Sequence, residues 1–136
     1  MRRLYLICIF ACISFNIKAQ NAENPCNYSF SVDVVKKEGP ANKTSYLAAM
    51  NWDFTTVAST SEITIELIPI RDCWEGINGK QLAPAQNFKV ESGAKGSKTF
   101  DLITMLAKCF KWRAVITDAN CSQTTDWKYY SFLQNN

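Results

Sequence analysis

Apolar and polar residues alternate through most of the chain beyond residue 25. Between residues 26 and 34 the even positions are Cys26, Tyr28, Phe30, Val32 and Val34, and the odd ones are Asn27, Ser29, Ser31 and Asp33. A period of two sends successive side chains to opposite faces, so this segment reads as a strand with one buried face. Lys36-Lys37-Glu38-Gly39-Pro40 ends it. Residues 46–54 repeat the pattern, with Tyr46, Ala48, Met50, Trp52 and Phe54 inward and Asn51 and Asp53 outward. In residues 63–67, Ile63, Ile65 and Leu67 face the core against Glu62, Thr64 and Glu66, and Pro69 limits how far this strand stays inside a sheet. Alternation is lost from 71 to 86, where Asn78-Gly79 marks a turn. Phe88 and Val90 indicate a short strand closed by Ser92-Gly93-Ala94-Lys95-Gly96, and residues 99–103 indicate another. Residues 109–117 put Phe110, Trp112, Ala114 and Ile116 on the core side and Lys111 and Arg113 outside, and the last strand falls at 127–133. Only residues 101–108 leave room for a helical turn. About seven short strands with polar turns predict an all-β fold, a two-sheet antiparallel β-sandwich.

The first nineteen residues do not belong to that pattern. Met1-Arg2-Arg3 precedes an apolar run from Leu4 with no charge until Lys18, and Ala19 supplies a small residue behind it. Basic start, short apolar stretch and small residue together predict a cleavable secretory signal. The run is shorter than the roughly 20 residues a membrane-spanning helix needs. Cleavage after Ala19 leaves residues 20–136 as a single domain, 136 − 19 = 117 residues long, with no transmembrane helix in the mature form. Ile17-Lys18-Ala19-Gln20 resembles the signal-peptide ends common in Bacteroidetes-type bacteria. Ile9-Phe10-Ala11-Cys12 loosely resembles a lipoprotein box, which makes a lipid on Cys12 the alternative exit. Either way the expected location is extracellular or periplasmic.

Taking the signal away changes the charge. Of the 15 basic residues, Arg2, Arg3 and Lys18 leave with it, so 12 bases face 12 acids and the formal +3 disappears. A neutral domain lacks the clustered positive field that nucleic acid or an anionic membrane requires. Cys8 and Cys12 leave too, and Cys26, Cys73, Cys109 and Cys121 remain. Four cysteines in a short exported domain read as two disulfides with three possible connectivities. With no His and no Cys-x-x-Cys pair, a zinc site is not expected, and no other metal or cofactor is indicated.

From about residue 45 to 133 the chain resembles a fibronectin type III-like, immunoglobulin-like domain. Trp52 in Asn51-Trp52-Asp53 stands where that family places its core tryptophan. Phe110-Lys111-Trp112-Arg113-Ala114-Val115 is similar to the family's aromatic–x–aromatic–Arg–Val strand, and Asp126-Trp127 to the start of its last strand. Two features depart from the family: Phe110 replaces a tyrosine, and the usual Pro-Gly is absent from Leu106-Ala107-Lys108. If the third and sixth strands of such a sandwich are antiparallel neighbours, Cys73 and Cys109 lie at one pole and Cys26 and Cys121 at the other. Pairing Cys109 with Cys121 is opposed by reach, since an extended run from 109 to 117 covers roughly 27 Å and four residues cannot return it. The expected bridges are Cys26–Cys121 and Cys73–Cys109.

The lack of His excludes Ser-His-Asp and Cys-His catalysis, and five glycines form no phosphate-cradling loop. Paired carboxylates stay open as a chemistry. Asp72-Cys73-Trp74-Glu75 sets an aromatic between two acids in the irregular stretch, which makes Trp74, Asp72 and Glu75 the candidate binding residues. Trp52 and Trp112 belong to the core faces of their strands. Arg113 is expected outside, in a cross-strand ladder with Glu62, Thr64 or Glu66. Three Asn-x-Ser/Thr sequons begin at Asn27, Asn42 and Asn120 and bear on a eukaryotic source alone. The expected function is a secreted, non-enzymatic binding or adhesion module for a protein or carbohydrate ligand. It would act through the pole formed by 55–61, 92–97 and 118–125, or through the long 71–86 loop. The alternatives are a small carboxylate-dependent glycan hydrolase and a structural accessory subunit of a surface assembly.

Overall fold

The computed structural model describes residues 24–39 and 46–133, so the predicted signal, Cys12 and the Asn42 sequon lie outside the described residues. Among the described residues, nine strand segments form two sheets. The smaller sheet contains β2 (Ser31–Lys37), β3 (Leu47–Asp53) and β6 (Lys95–Asp101) in that spatial order. The larger runs β1 (Asn24–Pro25), β8 (Cys121–Thr124), β7 (Cys109–Thr117), β4 (Glu62–Ile70) and β5 (Gln86–Val90). A further segment, β9 (Lys128–Ser131), pairs with β7 on the same edge as β8. Every pairing is antiparallel except the short one between β1 and β8. The all-β antiparallel sandwich expected from the alternation is the fold.

The alternating positions form the core between the sheets. Val32, Ala48 and Met50 from the smaller sheet meet Ile63, Ile65, Leu67, Phe110, Trp112, Ala114 and Ile116 from the larger, and all are buried. Trp52 packs against this core, with its ring 6.2 Å from that of Phe88. β4 and β7 share nine register pairs, from Glu62 opposite Thr117 to Ile70 opposite Cys109. Both bridges are the expected ones: the β4–β7 pairing brings Cys73 to Cys109, with Cα atoms 5.8 Å apart, and the β1–β8 pairing brings Cys26 to Cys121, at 5.1 Å.

Four boundaries differ from the sequence reading, each for a local reason. The first long strand starts at Ser31, because residues 26–30 cross from one sheet to the other. β4 runs through Pro69. The Leu82 N–H donates to the Pro69 carbonyl at 2.9 Å, so that side of Pro69 faces the loop that leads into β5. A strand residue's nitrogen points the same way as its carbonyl, so the missing N–H falls outside the β4–β7 ladder. The strand expected at 127–133 is the shorter β9, and residues 121–124, expected in a loop, form β8; between the two, the Thr125 hydroxyl takes the Ala114 N–H at 3.0 Å, while the Thr125 N–H reaches the Ala114 carbonyl.

The fourth difference is Lys95-Gly96, which begins β6 instead of ending a turn. Gly96 sits opposite Trp52 in the register, under its indole. A Cβ at Gly96 would fall 2.6 Å from three atoms of that indole. Gly96→Ala is therefore expected to cost about 1–3 kcal/mol by overpacking. Urea unfolding measures it, and an unchanged midpoint would show that the indole swings clear.

Candidate functional site

The sandwich has two ends, and they differ in chemistry. At the Cys26–Cys121 end the connections 54–61, 91–94 and 118–120 spend their polar groups on one another. The Asp118 carboxylate accepts from the hydroxyls of Ser61 at 2.7 Å, Tyr28 at 3.1 Å and Thr60 at 3.3 Å. These bonds, the Ser61 hydroxyl first and then the Ala119 N–H, hold its carboxyl below the ordinary range. Asp53 pairs with Lys95 at 2.8 Å and accepts twice from Thr55. Lys95 is the larger cause and Thr55 the next, and together they bring the Asp53 carboxyl down to about 2. Ser92 donates to the Ser59 carbonyl and Thr56 to that of Ser29.

The Cys73–Cys109 end carries the apolar surface. Of the eight large apolar side chains that lie exposed among the described residues, Val35 is on β2 and the other seven are here: Tyr46, Trp74, Ile77, Leu82, Ile103, Leu106 and Leu133. The strand directions place them together. β4, β6 and β9 all finish at this end, and β3 and β7 begin there.

Trp74 is 82 % exposed, yet the turn that holds it is tied down. The 3-10 helix Cys73–Asn78 is anchored by the disulfide to Cys109. The Tyr129 hydroxyl donates to the Cys73 carbonyl at 2.7 Å, and the Lys111 ammonium to that of Ile77 at 2.9 Å. Gly76 supplies a φ of 58°, which a glycine adopts without strain. Behind the turn, Cys109 and Ile70 are covered and buried on the outer face of the larger sheet.

Ile103 and Leu106 project from a second short element, the single-turn helix α1 (Leu102–Met105). The Asp101 carboxylate caps it by accepting from the Ile103 N–H at 2.7 Å. Leu106 closes it at φ 52°, in the left-handed region, and is 81 % exposed. That conformation costs an ordinary L-residue roughly 1–2 kcal/mol, and helices usually end there on glycine.

Of the residues singled out in the sequence, Trp74, Asp72 and Glu75 lie side by side on the anchored turn. The Glu75 N–H donates to the Asp72 main-chain carbonyl at 3.0 Å, and neither carboxylate has a side-chain bond or ion pair among the described residues. The expected Arg113 ladder is present as an ion pair with Glu66, and Arg113 and Lys111 both lie over the Trp127 ring, at 4.5 and 5.2 Å. Tyr46, Ile103, Leu106 and Leu133 escaped sequence reasoning. Tyr46 was expected to face the core, but β3 begins only at Leu47 and leaves it exposed; the other three lie at or beyond the ends of their elements, and only the shared end of the sandwich gathers them. Among the described residues no cluster of three or more His, Cys, Asp or Glu could hold a metal, and no helix is long and apolar enough to cross a membrane.

The fold and its apolar end define the class as a small disulfide-bonded β-sandwich domain. No protein-family model, curated protein or solved structure matches the chain.

Proposed function

We propose that this protein is a secreted, non-enzymatic binding module that engages a partner protein through its Cys73–Cys109 end. The observation that carries the reading is the segregation of exposed apolar side chains: seven of eight at one end and none among the hydrogen-bonded loops of the other. Exposed apolar side chains gathered at one end of a small domain are the kind of surface that partners bind. An exposed tryptophan on a pre-ordered turn is a natural anchor, because little conformational freedom remains to be lost on binding. A leucine kept in a glycine conformation points the same way, since strain at an exposed position has no role in packing.

Export rests on the first nineteen residues, and two disulfides with no membrane-crossing helix among the described residues are compatible with an extracellular or periplasmic location. The resemblance to fibronectin type III-like domains gains support from the strand order. The first three-stranded group (β2, β3, β6) faces the rest in a Greek-key sandwich, with Trp52 on β3 and the Phe110–Val115 motif on β7. Catalysis by Asp72 and Glu75 is the weaker reading. The two sit on a projecting turn and line neither of the hollows at Tyr28–Val32 and Asp53–Thr56.

Co-purification of the tagged mature domain from its native source tests the proposal. Trp74→Ser with Ile103→Ser is expected to lose the partner, with affinity falling by roughly tenfold or more, while the melting temperature holds. Ser92→Ala and Asn120→Ala at the other end should change nothing. Leu106→Gly separates stability from function: it relieves the left-handed leucine and should gain up to about 1 kcal/mol while weakening binding. A partner lost on Ser92→Ala and kept on Trp74→Ser would sink the reading.

A further inference from the structure

Between the Cys26–Cys121 bridge and β2 the chain crosses from the larger sheet to the smaller. Directly facing that crossing, the last strand is broken at residues 125–127. The two irregularities leave a half-open hollow of about 360 Å³ between the sheets. This is within the lower range of small-molecule sites. Phe30, Val32 and the Trp112 indole give it apolar lining, and Thr125 and Lys128, the latter paired with Trp112 across β7 and β9, add polar groups.

The hydrogen bonds around this hollow are unevenly spent. Trp112 is 4 % exposed, and its Nε1 is the buried side-chain nitrogen or oxygen without a partner among the described residues. Indole nitrogen can only donate, and a buried donor left unpaired costs about 1–3 kcal/mol. The Thr125 oxygen accepts from the Ala114 N–H, but its own proton is given to no described residue. Lys128 donates to the Val32 carbonyl at 2.9 Å and to Asp33 at 3.2 Å, and a third proton remains. Gln123 is held at both ends of its amide by the Tyr28 main chain, and its second amide proton adds a neutral donor. What remains is a set of donors, one of them cationic, beside an apolar wall.

We propose that this hollow is a second binding site, for a small apolar molecule bearing a carboxylate. The carboxylate takes the free protons of Trp112, Thr125 and Lys128, and its hydrocarbon part lies against Phe30 and Val32. The Trp112 nitrogen has almost no surface of its own in the unliganded fold. Contact therefore requires a shift in the wall, and the half-exposed Lys128 makes it by swinging from Asp33 to the ligand. This site is independent of the apolar end, which lies beyond the other disulfide.

The test is a titration of the oxidised mature domain with phenylacetate, phenylacetamide and phenethylamine, followed by NMR. The domain has four indole N–H resonances, and Trp112→Phe assigns the relevant one. Phenylacetate is expected to shift that resonance downfield and saturably. Phenylacetamide should bind more weakly and phenethylamine should leave it in place. Lys128→Met keeps the aliphatic stem and should weaken phenylacetate roughly tenfold. The proposal is overturned if no probe moves the resonance, if the amide or amine binds as well as the acid, or if Lys128→Met binds unchanged.

Discussion

Replacing Cys26 and Cys121 together by alanine is expected to destabilise the domain by about 4–5 kcal/mol, and the matching Cys73/Cys109 pair by about 4 kcal/mol. The difference follows from sequence separation, 95 residues for the first bridge and 36 for the second, because a longer closed loop removes more freedom from the unfolded chain. A domain of this size holds only about 5–15 kcal/mol in all, so either loss is a large share of it. The function should divide the other way. Without Cys73–Cys109 the Trp74 turn keeps its bonds from Tyr129 and Lys111 but loses its covalent anchor, so binding through the apolar end weakens. Without Cys26–Cys121, at a temperature where the domain is still folded, binding is retained. Denaturant unfolding and partner affinity measured on both variants check the pair of expectations. Equal stabilities, or loss of binding in the Cys26/Cys121 variant alone, would contradict them.

The bridges also show how far the sequence was legible. Alternation located the buried faces correctly, because each is a property of one strand: the even positions of β3 and β7 are in the core, as the pattern requires. The pairing of cysteines followed from the sandwich layout, with the third and sixth strands as neighbours, and from the reach between residues 109 and 121. What stayed hidden depends on two segments at once. Lys95-Gly96 looks like a turn until Trp52 is placed over it, since the indole supplies the apolar cover that Gly96 lacks. The break at Thr125 is invisible because a side-chain hydroxyl substitutes for a backbone partner. Trp74, Asp72 and Glu75 were found for their composition, and they do adjoin. The wider apolar end was missed, because Ile103, Leu106 and Leu133 come from termini of different elements and their exposure is a tertiary fact.

Phe110 is the position where the core should be most sensitive. Its ring lies 5.8 Å from Phe100, 5.8 Å from Trp112, 5.5 Å from Tyr130 and 5.8 Å from Phe132, and it has no exposed surface. Phe100 belongs to the smaller sheet and the other three to the larger or its end, so this one side chain joins the two layers. Phe110→Ala is expected to cost about 3–5 kcal/mol, from lost transfer energy and the cavity left among rings too stiff to collapse into it. Phe110→Leu restores much of the volume and should cost less, about 1–2 kcal/mol. Phe110→Tyr asks a different question, because the fibronectin-like pattern has a tyrosine here whose hydroxyl bonds back to the preceding corner. In this chain that corner is α1 and the left-handed Leu106, and rings surround the site. The added hydroxyl finds no acceptor and should cost about 1–3 kcal/mol. Urea unfolding of the three variants should give the order Ala, then Tyr and Leu. A tyrosine variant more stable than the parent would show instead that an acceptor lies within reach of the added hydroxyl.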